Sequence, residues 1–130
     1  MGASHVPRIL VVDDNPDNRD MYSMYLEYTG FVVEVAGDGA SAFSQASATH
    51  PDLIVMDLSL PWMDGWEATR RIKADASTRR IPVVALTGHA LDESEHQARS
   101  AGCDSFLTKP CLPQDLVVEI RRLLTRSKLG

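Results

Sequence analysis

The sequence predicts an α/β fold in which five parallel strands form a doubly wound sheet with helices on both faces. Short apolar runs rich in β-branched residues alternate five times with longer segments of helical period, and this alternation is typical of βα units. The chain has 130 residues, of which 44% are hydrophobic and 24% are charged, which suits one compact domain. Because crossovers between parallel strands are right-handed, helices are expected on both faces of the sheet.

The first βα unit begins with the apolar run Arg8–Val12. Asn15 is a residue type that caps helices well, and Pro16 suits the first helical position. The sequence therefore predicts a helix from this point to about Thr29, with Gly30 as the residue that stops it.

The second predicted strand is Phe31–Val35, and a turn at Asp38 and Gly39 leads into an alanine-rich helix that ends before Pro51. The third predicted strand, Leu53–Met56, is apolar at every position. Strands that are buried on both faces have such continuous apolar runs, so this strand is expected in the centre of the sheet.

The remaining units follow the same alternation. A helix is predicted from about Trp66 to Ala74, and the fourth strand is predicted at Pro82–Leu86. The next helix is predicted over about Asp92–Ala101, and the fifth strand at Ser105–Leu107. The final helix starts near Pro113 and has an apolar stripe at helical spacing, which consists of Leu116, Ile120, Leu123 and Leu124.

Charge and composition argue against several classes of protein. The net charge of −5 opposes sequence-independent binding to nucleic-acid phosphates. The longest apolar runs have about four residues, far fewer than the roughly 20 that span a bilayer, and no secretory signal is visible. Cys103 and Cys111 are too few for a disulfide scaffold, so we expect a cytoplasmic protein with free thiols.

Polar side chains collect where the predicted strands end, which is where open α/β sheets bind ligands. These side chains are Asp13 and Asp14 after the first strand, Asp57 after the third, Thr87 after the fourth and Lys109 after the fifth. Three carboxylates close together repel one another, so a cation is expected to neutralise them. Because their donor atoms are all oxygen, Mg²⁺ fits best.

This set of side chains indicates phosphoryl transfer. Lys109 supplies a compact positive charge suited to phosphate, and Thr87 supplies a hydroxyl donor. A carboxylate can act as a nucleophile and form an aspartyl phosphate, and Asp57 is the better candidate because Asp13 and Asp14 are free to hold the metal. The alternative is that these residues are solvated charges in loops. That alternative can explain any one of them alone, but it explains the whole set less well.

Five segments of the sequence together resemble the receiver domain of response regulators in two-component signalling. They are Val11–Asp14, Leu53–Asp57, Leu60–Gly65, Pro82–Gly88 and Lys109–Pro110. The resemblance covers about residues 8–126, between an N-terminal extension of residues 1–7 and a C-terminal tail of residues 127–130. It implies the flavodoxin-like strand order 2-1-3-4-5, which is the known order of the receiver protein CheY.

The resemblance also implies a role for each residue of the metal and phosphate site. Asp57 would accept the phosphoryl group from a phosphohistidine and contribute to the Mg²⁺ site. Asp14 would be a direct Mg²⁺ ligand, Asp13 would act mostly through a metal-bound water, and the backbone carbonyl of Ser59 would be a third protein ligand.

The remaining implied roles concern switching. Thr87 would hydrogen-bond the phosphoryl group and move with it, and Lys109 would pair with it. Phe106 stands at the aromatic switch position, where many members have Tyr, so its switching should depend on packing alone. The Lys109–Pro110 peptide bond would be cis.

The function implied is a phosphorylation switch and not an enzyme. The expected partners are a histidine kinase or a histidine-phosphotransfer protein and a downstream effector, with phosphorylation-dependent homodimerisation as an option and no nucleic acid or membrane.

The alternatives are a pseudo-receiver that is never phosphorylated and binds partners constitutively, or a Mg²⁺-dependent phosphatase. The phosphatase would need a second carboxylate just beyond Asp57, which Leu58–Leu60 does not offer. The start at Met1 favours a stand-alone receiver over an excised domain.

The first predicted helix has two apolar stripes, only one of which must face the sheet. One stripe consists of Met21, Met24 and Tyr28, and the other consists of Tyr22, Tyr25, Leu26 and Thr29. The surplus stripe is either part of a wide buried face or a docking surface for a helical, histidine-bearing partner, because Met and aromatic residues are enriched at interfaces.

Overall fold

The computed structural model describes residues 6–58, 65–88 and 99–129. Five parallel strands form one sheet in the order β2-β1-β3-β4-β5. The strands are β1 (Arg8–Val12), β2 (Val32–Ala36), β3 (Leu53–Asp57), β4 (Val83–Thr87) and β5 (Ser105–Thr108). The predicted fold class and strand order are therefore confirmed.

Four helices lie within the described part of the chain: α1 (Pro16–Tyr28), α2 (Gly39–Thr49), α3 (Gly65–Ala74) and α4 (Pro113–Leu129). None of these described helices combines the length and the apolar character that crossing a membrane requires. Most of the helix predicted over Asp92–Ala101 lies outside the described residues.

The start of α1 follows the predicted capping chemistry. Asn15 has an extended backbone, and its side chain accepts a hydrogen bond from the backbone N–H of Asn18 at 3.0 Å. Pro16 is the first helical residue, where its missing N–H costs no hydrogen bond. After the helix, Gly30 has a φ of 105°, a conformation that glycine adopts without a Cβ clash.

The sheet separates two hydrophobic clusters. The cluster on the side of α2 and α3 includes the alternate strand residues Leu10, Val12, Ile54, Met56, Val83 and Ala85. The cluster on the side of α1 and α4 includes Ile9, Val11, Leu53, Val55, Val84 and Leu86. Because successive side chains of a strand point to opposite faces, all five residues of β3 are buried, as its apolar sequence predicts.

The structure decides which stripe of α1 faces the sheet. Tyr22 and Leu26 are buried, whereas Met21, Met24 and Tyr28 have exposed fractions of 43%, 70% and 87%. The interpretation of α1 as a wide, mostly buried face is therefore wrong. The sheet offers one packing surface to the helix, so the second stripe faces outward.

Six strand boundaries differ from the prediction by one residue, namely both ends of β2, both ends of β4, and the C-terminal ends of β3 and β5. β3 and β4 include Asp57 and Thr87, which were expected just beyond the strands, and β2 starts at Val32 instead of Phe31. The reason is that backbone pairing does not depend on side-chain polarity. Asp57 is still in register with Leu86, and the next backbone N–H, that of Leu58, donates to the carbonyl of Leu86 at 2.9 Å.

Candidate functional site

Three carboxylates meet at the carboxyl edge of the sheet. Asp13 follows β1 and Asp57 ends β3, and each is only 2% exposed, whereas Asp14 is exposed. One carboxylate oxygen from each residue lies within 4.8 Å of the others. The structure thus brings together the three acidic residues that the sequence predicts as a cluster.

Lys109 joins this cluster from the segment after β5. Its Nζ lies 3.0 Å from Oδ2 of Asp57 and 4.0 Å from Oδ2 of Asp13. The backbone N–H of Lys109 donates to the carbonyl of Thr87 at 2.6 Å, and the Lys109–Pro110 peptide bond is cis. The ammonium group therefore lies between two buried carboxylates.

The Asp13 carboxylate is in a position where negative charge is costly. Oδ1 accepts the backbone N–H of Asn15 at 2.9 Å, but Oδ2 has no hydrogen-bond donor among the described residues. Burial raises the pKa of the Asp13 carboxyl, and the charge of Asp57 raises it further, while Asn15 and Lys109 act in the opposite direction. An oxygen that is buried and without a donor is suited to a hard cation, so the donor set fits Mg²⁺.

The two residues predicted to respond to phosphate lie on neighbouring strands. Thr87 is buried at the end of β4, the strand next to β3, and pairs with Thr108 of β5. Phe106 is half-buried on β5 and packs against the cluster on the side of α2 and α3. Ser59, the predicted backbone ligand, lies outside the described residues.

The site also depends on close packing that the sequence analysis did not find. A Cβ on Gly65 would lie 2.6 Å from the backbone oxygen of Asp57, so only glycine fits at the start of α3. On the other side, Nη1 of Arg19 donates to the backbone oxygen of Asp13 at 3.3 Å. A Cβ on Gly37 would lie 3.1 Å from the same Nη1. A side chain at position 37 would therefore need a small shift of the Arg19 guanidinium, whereas the fit at Gly65 is against backbone. The glycine requirement at position 65 has no local sequence signal, because it arises from a distant backbone segment.

Another contact outside the predicted set ties α1 to the segment after Lys109. The hydroxyl of Tyr22 donates to the backbone carbonyl of Cys111 at 2.9 Å. Burial raises the pKa of the Cys111 thiol, and Asp115 raises it further, so this cysteine is in the neutral thiol form at neutral pH.

A family profile described as "Response regulator receiver domain" matches residues 9–121. The chain belongs to the response regulator receiver domain family. This family accepts phosphoryl groups in two-component signalling, and its members are signalling modules and not classical enzymes.

Two curated proteins illustrate the relationship of this receiver domain to its relatives. It is 38% identical over 122 residues to the DNA-binding dual master transcriptional regulator RpaA of Synechocystis, covering 94% of this chain and 51% of RpaA. It is 39% identical over 119 residues to the phosphate regulon transcriptional regulatory protein PhoB of Klebsiella pneumoniae, covering 92% and 52%. The receiver domain therefore spans about half the length of these relatives.

Solved structures agree with the fold of this receiver domain. The chemotaxis protein CheY4 of Vibrio cholerae superposes with a TM-score of 0.86 at 29% identity, covering 91% of this chain and 98% of CheY4. The receiver domain of the sensor histidine kinase PA1611 from Pseudomonas aeruginosa has a TM-score of 0.82 at 35% identity and covers 97% and 100%. The PA1611 structure has a magnesium ion coordinated in its active site cleft.

Proposed function

We propose that this receiver domain accepts a phosphoryl group from a phosphohistidine onto Asp57, in a Mg²⁺-dependent reaction that switches the domain between two states. The observation that carries the proposal is the position of Asp57. Its carboxylate lies 3.0 Å from the Lys109 ammonium and within 4.8 Å of the Asp13 and Asp14 carboxylates. The side chains that we propose as the nucleophile, the phosphate-binding cation and two further metal ligands thus lie close together.

The residues of the acidic cluster fit a magnesium site. Asp14, Asp57 and the backbone carbonyl of Ser59 would supply oxygen ligands, and Asp13 would act mostly through a bound water. Mg²⁺ would neutralise the developing negative charge on the phosphoryl oxygens. The buried Asp13 oxygen without a donor supports this assignment, since a metal-bound water would donate a hydrogen bond to it.

The transfer itself needs one nucleophile and one leaving group. A carboxylate oxygen of Asp57 attacks phosphorus, and the new O–P bond forms as the N–P bond of the phosphohistidine breaks. The imidazole leaves with the electron pair of that bond and takes up a proton. Lys109 stabilises the negative charge on the transferred group, and Thr87 donates a hydrogen bond to it.

Phosphorylation replaces the single negative charge of the Asp57 carboxylate with a phosphoryl group of about −1.5 to −2 charge, which changes the partners available to Lys109. In this proposal Lys109 and Thr87 turn toward the phosphoryl group, and Phe106 repacks on the side of α2 and α3. Because Phe106 has no hydroxyl, the repacking stabilises the second state through buried apolar area and not through a new hydrogen bond. A downstream effector, or a second copy of the chain, would bind that state.

The exposed stripe of α1 supports docking of the phosphohistidine donor beside the site. A groove of about 570 Å³ on this helix is lined by Asp17, Asp20, Met21, Met24, Tyr25 and Pro113. We assign this groove to a helical segment of a histidine kinase or a histidine-phosphotransfer protein. A cytoplasmic location is part of the same proposal.

A small-molecule phosphodonor tests the proposal without a partner protein. Wild-type protein incubated with phosphoramidate and Mg²⁺ should gain one phosphoryl group by intact mass, and Asp57→Asn should gain none. Glu27→Gln removes an exposed carboxylate of α1 and should be labelled like the wild type. Absence of labelling in the wild type would support a pseudo-receiver, whereas rapid multiple turnover would support a phosphatase.

A further inference from the structure

The Tyr22 hydroxyl is placed to hold the segment that presents Lys109 to the site. We infer that Tyr22 is a positioning residue for Lys109, and this inference rests on the proposed role of Lys109 in phosphoryl transfer. The hydroxyl donates to the backbone carbonyl of Cys111 at 2.9 Å, across 89 residues of sequence. Cys111 lies only two residues beyond Lys109, so the bond fixes the end of the Lys109–Cys111 segment that the sheet does not hold.

The two ends of this segment are held in different ways. On the side of the sheet, the backbone N–H of Lys109 donates to the carbonyl of Thr87 at 2.6 Å. On the side of α1, Tyr22 is 4% exposed and its ring belongs to the cluster between the sheet and α1 and α4. The ring is therefore tightly packed, and this packing fixes the position of its hydroxyl.

The space around the segment makes this hydrogen bond important. A cavity of about 340 Å³ lies between α1 and the segment, and its lining includes Asn18, Met21, Tyr22, Lys109 and Cys111. Atoms that border open space lack packing contacts on that side. Without the Tyr22 hydroxyl, the Lys109–Cys111 segment can therefore shift into the cavity, and the Lys109 amine can move away from Asp57.

The hydroxyl stays a donor at any physiological pH. Burial raises the pKa of Tyr22 to about 12, and the nearby carboxylates of Asp13 and Asp57 act in the same direction. The hydrogen bond between α1 and the Lys109–Cys111 segment therefore does not depend on pH in the physiological range. Because Met21, the neighbour of Tyr22, lines both this cavity and the outer groove of α1, the link also joins the proposed docking surface to the site.

The test removes the hydroxyl and keeps the ring. We expect Tyr22→Phe to lower the rate constant for phosphorylation by phosphoramidate by roughly 5-fold, the effect of losing one hydrogen bond. Thr78→Val is the matched control, because the buried Thr78 hydroxyl donates to the backbone carbonyl of Ile72 at 2.7 Å. Thr78→Val should lower the melting temperature about as much as Tyr22→Phe does, but it should leave the phosphorylation rate unchanged.

A double-mutant cycle separates positioning from general structural damage. In a Lys109→Ala background, Tyr22→Phe should cause no further loss of rate, because the residue through which it acts is absent. A loss as large as that in the wild-type background, or an unchanged rate in the single variant, would overturn the inference.

A second measurement keeps this inference distinct from the proposed function. If the wild type takes up no phosphoryl group, the proposed function is overturned, and the Tyr22 inference is then decided by NMR. The side-chain ¹³Cε and ¹Hε signals of Lys109 should shift between wild type and Tyr22→Phe and stay constant in Thr78→Val. Lys109 signals that do not change in Tyr22→Phe would refute the positioning role.

Discussion

Replacing Asp13 with Asn should stabilise the metal-free protein and remove its response to Mg²⁺. Asn keeps an oxygen that can accept the Asn15 N–H, now 2.9 Å from the carboxylate, but carries no charge. The Asp13 and Asp57 carboxylates have oxygens within 4.8 Å of each other, and two unit charges at that limiting distance repel by about 3.5 kcal/mol at an effective dielectric constant of 20. The Lys109 amine at 4.0 Å attracts Asp13 by about 4 kcal/mol on the same scale.

These two interactions of Asp13 nearly cancel. The burial of Asp13 and the additional charge of the exposed Asp14 therefore decide whether Asp13→Asn raises or lowers the free energy of unfolding. Repulsion from an exposed charge is worth about 1 kcal/mol or less, and desolvation of a buried carboxylate adds to it. We therefore expect Asp13→Asn to raise the free energy of unfolding by about 1–2 kcal/mol in EDTA. Wild type should gain about 1.4 kcal/mol when Mg²⁺ is at ten times its dissociation constant, and the variant should gain little.

Urea unfolding with EDTA or Mg²⁺, at several pH values, measures both effects. Because the folded-state pKa of Asp13 is raised, the wild type is penalised only where the carboxyl is ionised. The advantage of Asp13→Asn should be largest above the raised pKa and vanish as the pH falls toward the ordinary value of 3.8. Glu27→Gln makes the same change of charge at an exposed position of α1 and should match wild type. A variant less stable than wild type in EDTA, or one that gains as much from Mg²⁺, would refute the reasoning.

Three further predictions concern a pH effect, a close contact and the docking surface. Arg122 lowers the pKa of Glu119, so Glu119→Gln should cost up to about 1 kcal/mol of unfolding free energy at pH 7; the cost should disappear in acid melts as the pH falls through the lowered pKa. Gly65→Ala should cost about 1–3 kcal/mol and slow phosphorylation of Asp57, as measured by urea unfolding and mass spectrometry; a fully stable, fully labelled variant would contradict this. Met24→Ala should slow transfer from a phosphohistidine protein roughly 5-fold without changing labelling by phosphoramidate, and equal slowing with both donors would exclude a docking role.

The sequence was sufficient for the order of the elements and for the gathering of the acidic residues with Lys109. Both depend on signals that repeat locally or recur at strand ends, whereas the strand order came from the family resemblance. The buried face of α1 was not predictable, because Met21 and Tyr22 belong to stripes with the same helical period. Only packing against the sheet distinguishes the two stripes.

The hydrogen bond between Tyr22 and Cys111 and the tight fit at Gly65 were also beyond the sequence. Each joins segments that are distant in the chain, and neither leaves a periodic pattern or a capping signal. Strand ends were misplaced by one residue at Asp57 and Thr87 for a related reason, since backbone pairing continues through a polar side chain that faces a site.

The sheet acts as a partition between the two halves of the hydrophobic interior. Phe106 packs on the α2 and α3 side, while Leu107, the next residue of β5, packs on the side of α1 and α4. A displacement of β5 at this point would change the packing in both hydrophobic clusters, although the sheet keeps the side chains of the two clusters apart. Phe106 and Leu107 are separated from Lys109 only by Thr108, so a shift of Lys109 along the backbone would reach the packing on both sides of the sheet.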